Sequence, residues 1–271
     1  MNDFIIHEPA GEYHARSRSG EYMSSHLLAD FRESPALYRK EINGEIEQKD
    51  TPAFILGRAA HSLILEGRTA FDRDFVVTNG PVNPKTGEPY GAKTKAYAEW
   101  LASQEREVVS GKDYAFILNL QRSVHLHAAA SELLANGEAE GVVRAEYCGV
   151  PCQIRMDWFR IRYLGRPAIC DLKTAQDLTY FESDARRFGY PQQMSFYREV
   201  LRVASNGEIE ADCYLIGVEK NEPMRCGVWK LTDGILQACA CENERAIAEL
   251  RECRRANTWP TRTEDMRILD V

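Results

Sequence analysis

No apolar run in this chain approaches the length needed to cross a bilayer, so nothing in it reads as a membrane anchor. The first residues, Met1-Asn2-Asp3-Phe4-Ile5-Ile6-His7, carry neither a basic stretch nor an apolar core and do not read as a secretion signal. A cytoplasmic location is expected. The chain also lacks an excess of basic charge: 34 Lys and Arg against 41 Asp and Glu leave a formal net charge of −7. That excludes coating nucleic acid with a general basic surface. It still allows an enzyme whose carboxylates gather metal ions and whose basic residues line one groove. The eight cysteines never fall in C-x2-C spacing: Cys148-x3-Cys152 and Cys239-x-Cys241 are the tightest pairs, and none precedes Cys148. A zinc or iron–sulfur cluster is therefore not expected, and the thiols read as reduced and mostly buried. Internal repeats and low-complexity tracts are absent.

What is present is ordinary globular material, with 44% hydrophobic and 28% charged residues in 271, enough for one large domain or two small ones. Residues 1–20 are polar and aperiodic and read as a loose arm. Leu27, Leu28, Phe31, Leu37 and Tyr38 recur at helical spacing, with Ser24 or Ser25 as N-cap and a break at Ser34-Pro35. A helix is expected over 52–66, begun by Thr51-Pro52 and ended by Gly67. A short strand at 75–77 precedes a turn-rich stretch, 79–92. Helices over 93–106 and 111–135 lead into strands at 141–148, 152–163 and 167–173. Helices at 178–187 and 190–204, strands at 211–219 and 225–231, and a helix at 233–256 complete the chain. This order predicts an α/β fold with a mixed central sheet flanked by helices and a helical N-terminal region.

Two of the expected strands carry acids. Asp157 lies in Gln153-Ile154-Arg155-Met156-Asp157-Trp158-Phe159, and Asp171 in Ala168-Ile169-Cys170-Asp171-Leu172-Lys173. In a strand, positions i and i+2 share a face, so Asp171 and Lys173 project together, and a hairpin brings Asp157 to the same spot. Two carboxylates suit a hard divalent cation, and a neighbouring lysine can orient or deprotonate a water. The same pattern also occurs as plain surface charge. In Gly57-Arg58-Ala59-Ala60-His61 a glycine stands one helical turn before a histidine on the same face. Since glycine costs about 1 kcal/mol in a helix, it marks either close packing or the approach of another backbone or a nucleic-acid strand. Gln193 and Tyr197 are i and i+4 neighbours that can contact phosphate, hold the lysine, or simply hydrogen-bond within a half-buried helix. Glu146, on the strand before Asp157, is either a further metal ligand or an exposed strand residue.

Taken in order, G-x3-H, D, D-x-K and Q-x3-Y resemble the PD-(D/E)XK nuclease superfamily, in its RecB-type branch, and within it the exonuclease VIII-like (RecE-like) phage recombination nucleases. The stretches Met23–Tyr38, Leu56–Gly67 and Phe188–Tyr197 are also similar to that family, so the likeness covers roughly residues 20–260. The family often has glycine three residues before the first acid, where this chain has Ile154. The resemblance implies a restriction-endonuclease-like fold, with one nuclease domain over 21–271: a helical part at about 21–135 and a sheet-containing core at about 140–260. It implies that Asp157 and Asp171 bind one or two Mg2+ or Mn2+ ions, with the Leu172 backbone carbonyl as a candidate further ligand and His61 beside the metal as a ligand or a phosphate contact. It implies that Lys173 positions or activates water and that Gln193 and Tyr197 support the site. No iron–sulfur cluster is implied.

The function so implied is a metal-dependent exonuclease that degrades one strand of linear double-stranded DNA from a 5′ end, in phage-type homologous recombination. Its implied partners are duplex DNA ends, a single-strand annealing protein and further copies of itself in a ring. Ser24, Ser25, Arg186 and Arg187 are candidate phosphate contacts, against helix capping for the serines and a solvated face for the arginines. Two other readings stand beside it: a non-catalytic DNA-binding scaffold on a nuclease fold, and a Cas4-like or repair nuclease acting on single strands.

Overall fold

A computed structural model describes residues 4–46 and 51–268. Residues 1–3 of the expected N-terminal arm lie outside that range. Along the chain run α1 (Ala10–Arg18), α2 (Ser25–Glu33), α3 (Pro35–Ile42) and α4 (Pro52–His61), then a π-helical turn Ser62–Glu66 and α5 (Arg68–Asp74). Next come β1 (Phe75–Val77), α6 (Lys95–Ala102), β2 (Glu107–Val109), α7 (Gly111–Leu126) and α8 (Ala128–Leu133). The central strands are β3 (Glu138–Tyr147), β4 (Val150–Tyr163) and β5 (Arg166–Ala175). A 3-10 turn, α9 (Phe181–Arg187) and α10 (Tyr190–Ala204) lead to β6 (Asp212–Glu219), β7 (Cys226–Lys230) and α11 (Asp233–Ala256).

The helix starts follow local chemistry. Ser24 Oγ accepts from the Leu27 N–H at 3.4 Å, Ser34 Oγ from Leu37 at 3.3 Å and Thr51 Oγ1 from Phe54 at 3.3 Å. Each satisfies one of the amide donors that a helix leaves free at its N-terminus. The main sheet has the order β3-β4-β5-β6-β7, antiparallel except for the parallel β5–β6 pair. A parallel pair needs a crossover, and α9 and α10 supply it. Helices cover both faces. One core packs α2, α10 and α11 on the sheet through Phe31, Met194, Phe196, Val200, Ile169 and Ile247. The other packs α4 and α7 through Ala59, Ile117, Val124, Cys170, Leu172 and Ile216. Each large apolar side chain fully buried in these layers contributes about 1.5–3 kcal/mol, and this is what fixes α10 and its polar face. Among the described residues no helix is long and apolar enough to cross a membrane.

Several expectations are corrected. Residues 4–20 are not a loose arm. Ile6 pairs with Val142 through two 2.9 Å backbone hydrogen bonds. Gln153 Nε2 donates to the Tyr13 carbonyl and to Ser17 Oγ, both at 2.8 Å, fastening α1 to the sheet. These are long-range polar contacts, which leave no apolar periodicity to read. The helix expected over 111–135 breaks at His127, whose Nδ1 caps α8 by accepting from Ala130 at 3.2 Å. β2 falls between the two helices expected over 93–106 and 111–135 and pairs in parallel with β1, and α5 was not expected at all.

Candidate active site

The β4–β5 ladder pairs Phe159 with Ile169 and Trp158 with Cys170 and goes no further. One step on, in the same register, Asp157 faces Asp171. There the Leu172 N–H has no strand carbonyl opposite and donates to Asp157 Oδ2 at 2.8 Å. On the other flank, β3–β4 pairs Ala139 with Trp158 and Gly141 with Met156, so that Glu140 stands opposite Asp157. Glu140, Asp157 and Asp171 thus occupy matching positions on three adjacent strands, about 4.8 Å apart per strand. Like charges directly opposed are destabilising, so the row needs a reason.

The β3–β4 ribbon also turns over at this point. Val143, Ile154 and Met156 face the α10 core, whereas Ala139 and Trp158 face the α7 core. The reversal falls on the Glu140/Asp157 pair, where Glu140 takes a left-handed backbone with φ 58°. A non-glycine residue in that region is held there by its surroundings at a cost.

Lys173 shares the Asp171 face, with Nζ 2.7 Å from Asp171 Oδ2. It donates to Gln193 Oε1 at 3.1 Å. The Gln193 amide nitrogen donates to Asp171 Oδ1 and Tyr197 Oη, each at 3.1 Å. One side chain of α10 therefore ties the acid, the lysine and the tyrosine together. His61, at the end of α4, places Nδ1 3.4 Å from Asp157 Oδ2. It is followed directly by the π-helical turn, a distortion that recurs at functional sites.

The electrostatics are those of an acid cluster short of positive charge. Burial pushes the Asp171 carboxyl up to about 6; Lys173 pulls it down and Asp157 pushes it further up. For Lys173 burial works against the charge, but Asp171 and Asp157 outweigh it and hold the ammonium above its usual range. Glu140 is pushed up to about 8 by burial and by Asp157, against the pull of Arg155, whose Nε lies 2.8 Å from Oε2.

A hard divalent cation fits this donor set. Asp171 is 1% exposed, and its Oδ2 accepts no hydrogen bond of good geometry although Lys173 stands beside it. Among the described residues no three His, Cys, Asp or Glu side chains already converge as a ligand group. Mg2+ does not demand one, since it is commonly held by one or two carboxylates and keeps several waters.

The structure brings Asp157, Asp171, Lys173, His61, Gln193 and Tyr197 together. It does not bring Glu146. That residue is exposed and pairs with Pro151 near the hairpin turn, six residues along β4 from Asp157, or about 20 Å. Glu140 is the acid of β3 beside the site, and counting back in register from the Tyr147↔Val150 pair finds it. Ser24 is committed to capping α2, while Ser25 Oγ is buried with no hydrogen-bond partner among the described residues. Arg186 and Arg187 are exposed at the end of α9. His26, at the start of α2, also belongs to this region: the surrounding protein and Lys173 hold its imidazole below the usual range, while Asp157 pulls the other way. At Gly57 a Cβ would meet no heavy atom within 4 Å. Close packing therefore does not explain that glycine.

A mixed five-stranded sheet between helical layers, with D, D-x-K and Q-x3-Y meeting at the splayed end of β4–β5, is the PD-(D/E)XK arrangement. The model of the PDDEXK-like domain of unknown function (DUF3799) matches residues 24–270, and the chain belongs to that family. The fold is similar to the crystal structure of a "putative exonuclease" from Eubacterium rectale, with TM-score 0.66 and 16% identity over 98% of this chain and 96% of that one. At that identity the likeness is one of fold. No curated protein matches the chain.

Proposed function

We propose that this protein is a metal-dependent exodeoxyribonuclease that hydrolyses linear double-stranded DNA from 5′ ends, working in phage-type recombination as a ring of identical subunits beside a single-strand annealing protein. The observation that carries the hydrolase reading is the closed Asp171–Gln193–Lys173 network facing Asp157. A scaffold protein has no use for buried opposed carboxylates at the point where a phosphate would sit. The preference for duplex ends, the polarity, the ring and the annealing partner rest on the motif resemblance.

Asp157 and Asp171 would hold the Mg2+ or Mn2+, with the Leu172 carbonyl and His61 completing its surroundings and Glu140 as a third acid. When bound, the ion supplies polarisation of the scissile phosphate and of a water. Lys173, charged while the acids stand beside it, donates to a phosphate oxygen or to the attacking water and compensates charge that develops there. Gln193 keeps that ammonium and the Asp171 carboxylate in register. Tyr197, 4% exposed, holds the far end of Gln193. His61 sets the orientation of Asp157.

The test is degradation of a linear duplex with and without Mg2+, one end blocked at a time, for the protein and for Lys173→Ala. Loss of one strand from free 5′ ends, dependent on metal and abolished in the variant, is the expected result. Digestion from 3′ ends overturns the polarity. A preference for single strands favours the Cas4-like alternative, and binding without cleavage favours the scaffold.

A further inference from the structure

Directly beyond Lys173, the end of β5 opens into a cavity of about 370 Å3. That is the lower end of the roughly 300–1,000 Å3 of small-ligand pockets, room for one compact ligand. Its walls combine three kinds of group. Phe188 and Tyr190 give aromatic faces, Arg187 and Lys220 give positive charge, and Gln176 and Asp184 give hydrogen-bonding edges. One wall of the cavity, Tyr190, touches the site. The Lys173 ammonium lies 4.7 Å from the centroid of the Tyr190 ring. Tyr190 in turn stacks with Phe188 at a centroid separation of 5.9 Å and 30° between planes.

Phe188 is the odd member. It is 56% exposed, between the end of α9 and the start of α10, with the Arg187 guanidinium 5.3 Å from its centroid. A large aromatic ring left in solvent beside a cation and a hydrogen-bonding pocket is the platform on which nucleic-acid bases stack. A flat ring on Phe188, a phosphate between Arg187 and Lys220, and a base edge at Gln176 or Asp184 together describe a nucleotide.

We propose that this cavity takes one unpaired nucleotide of the DNA strand being cut, next to the scissile phosphate, with its base stacked on Phe188. The proposal rests on the nuclease reading above. It adds that the base pair at the cutting site must open for the strand to seat, so the aromatic pair couples strand separation to cleavage.

The probe is a deoxyoligonucleotide carrying 2-aminopurine at one position, bound by the full chain in the presence of Ca2+, with a matching oligonucleotide abasic at that position. Phe188→Ala should weaken binding by about 5- to 150-fold, the range for one stacked base, and remove the quenching of 2-aminopurine. Phe188→Trp should keep both. The abasic strand should lose the same factor against the unmodified protein and nothing more against Phe188→Ala. Phe188 is exposed, so both variants should melt with the unmodified protein. Equal binding and quenching by Phe188→Ala, in a protein that binds or degrades DNA, overturns this proposal alone. Failure of the unmodified protein to bind or cut any DNA overturns the nuclease reading and this proposal together.

Discussion

Two buried acids on neighbouring strands of one sheet are treated in opposite ways. Asp171 on β5 and Glu219 on β6 are 1% and 3% exposed. Glu219 meets Arg225 through Oε1 at 2.7 Å and Oε2 at 2.8 Å and also receives the Leu178 N–H at 3.2 Å. Hydrogen bonding to Arg225 holds it down to about 2. Asp171 has one lysine but faces Asp157 and is pushed up to about 6, burial first among the causes. The first acid is saturated by the protein. The second is kept short of positive charge by neighbouring acids, which lowers stability in the free protein and makes sense where a cation is to be taken up. Burial alone does not separate a structural acid from a functional one; the balance of partners does.

The largest effect that tests this contrast is Asp171→Asn. Activity on duplex DNA should fall by at least about 100-fold, because a carboxylate that would hold the cation is lost and even the groups that support such ligands are worth about 10- to 100-fold. The melting temperature should hold or rise, because an opposed carboxylate has gone. Glu219→Gln should do the reverse, with activity near that of the unmodified protein and a melting temperature lower by about 2–5 °C. Because the Glu219 pKa is depressed from 4.5 to about 2, its stabilisation is complete above pH 4.5. It is lost as pH falls toward 2, so the two proteins should converge there. A Glu219→Gln protein that is inactive at full stability would break the contrast.

Next in size is Glu140→Gln. If Glu140 is the third acid of the row, Mn2+ affinity should drop about 10- to 100-fold, read by direct titration of the metal, while Glu146→Gln changes nothing. Equal affinity in the two variants would remove Glu140 from the site.

Glu140 is not legible in the sequence as the other site residues are. Asp157, Asp171, Lys173, Gln193 and Tyr197 were legible because strand and helix periodicity carries each to its face with no long-range information. The strands of the main sheet and α9 to α11 were legible for the same reason. Glu140 needs the hairpin register and a left-handed backbone that no residue type announces. α1 is held by Gln153 and by strand pairing at Ile6, contacts about 136 to 140 residues apart in the chain. Glu146 is a candidate in the sequence because alternation gives a face but not a distance along the strand. His26 lies beside the serines at the start of α2, and no spacing in the sequence links it to Asp157 or Lys173.

A third acid arrangement sharpens the comparison at smaller scale. Asp30 is pushed up to about 7 by burial and by Glu41, away from the site. A raised carboxyl pKa contributes stability that is complete below the unfolded value of 3.8. It is lost as pH rises through about 7. Asp30→Asn should therefore melt higher than the unmodified protein at pH 8 and alike at pH 4. A gain that is equal at both pH values would mean that the pair is not repulsive.

Gly57 carries the smallest expected change and separates stability from function most cleanly. The position is helical, one turn before His61, and a methyl group there would touch nothing. Gly57→Ala should therefore stabilise the free protein by about 0.5–1 kcal/mol, from helix propensity alone. The protein forgoes that gain, and packing does not account for it. If the glycine leaves room for a DNA backbone beside His61, the same variant should bind duplex ends more weakly while melting higher. Higher melting with unchanged DNA affinity would show that this helix face meets no substrate. It would also leave His61 acting through Asp157 alone.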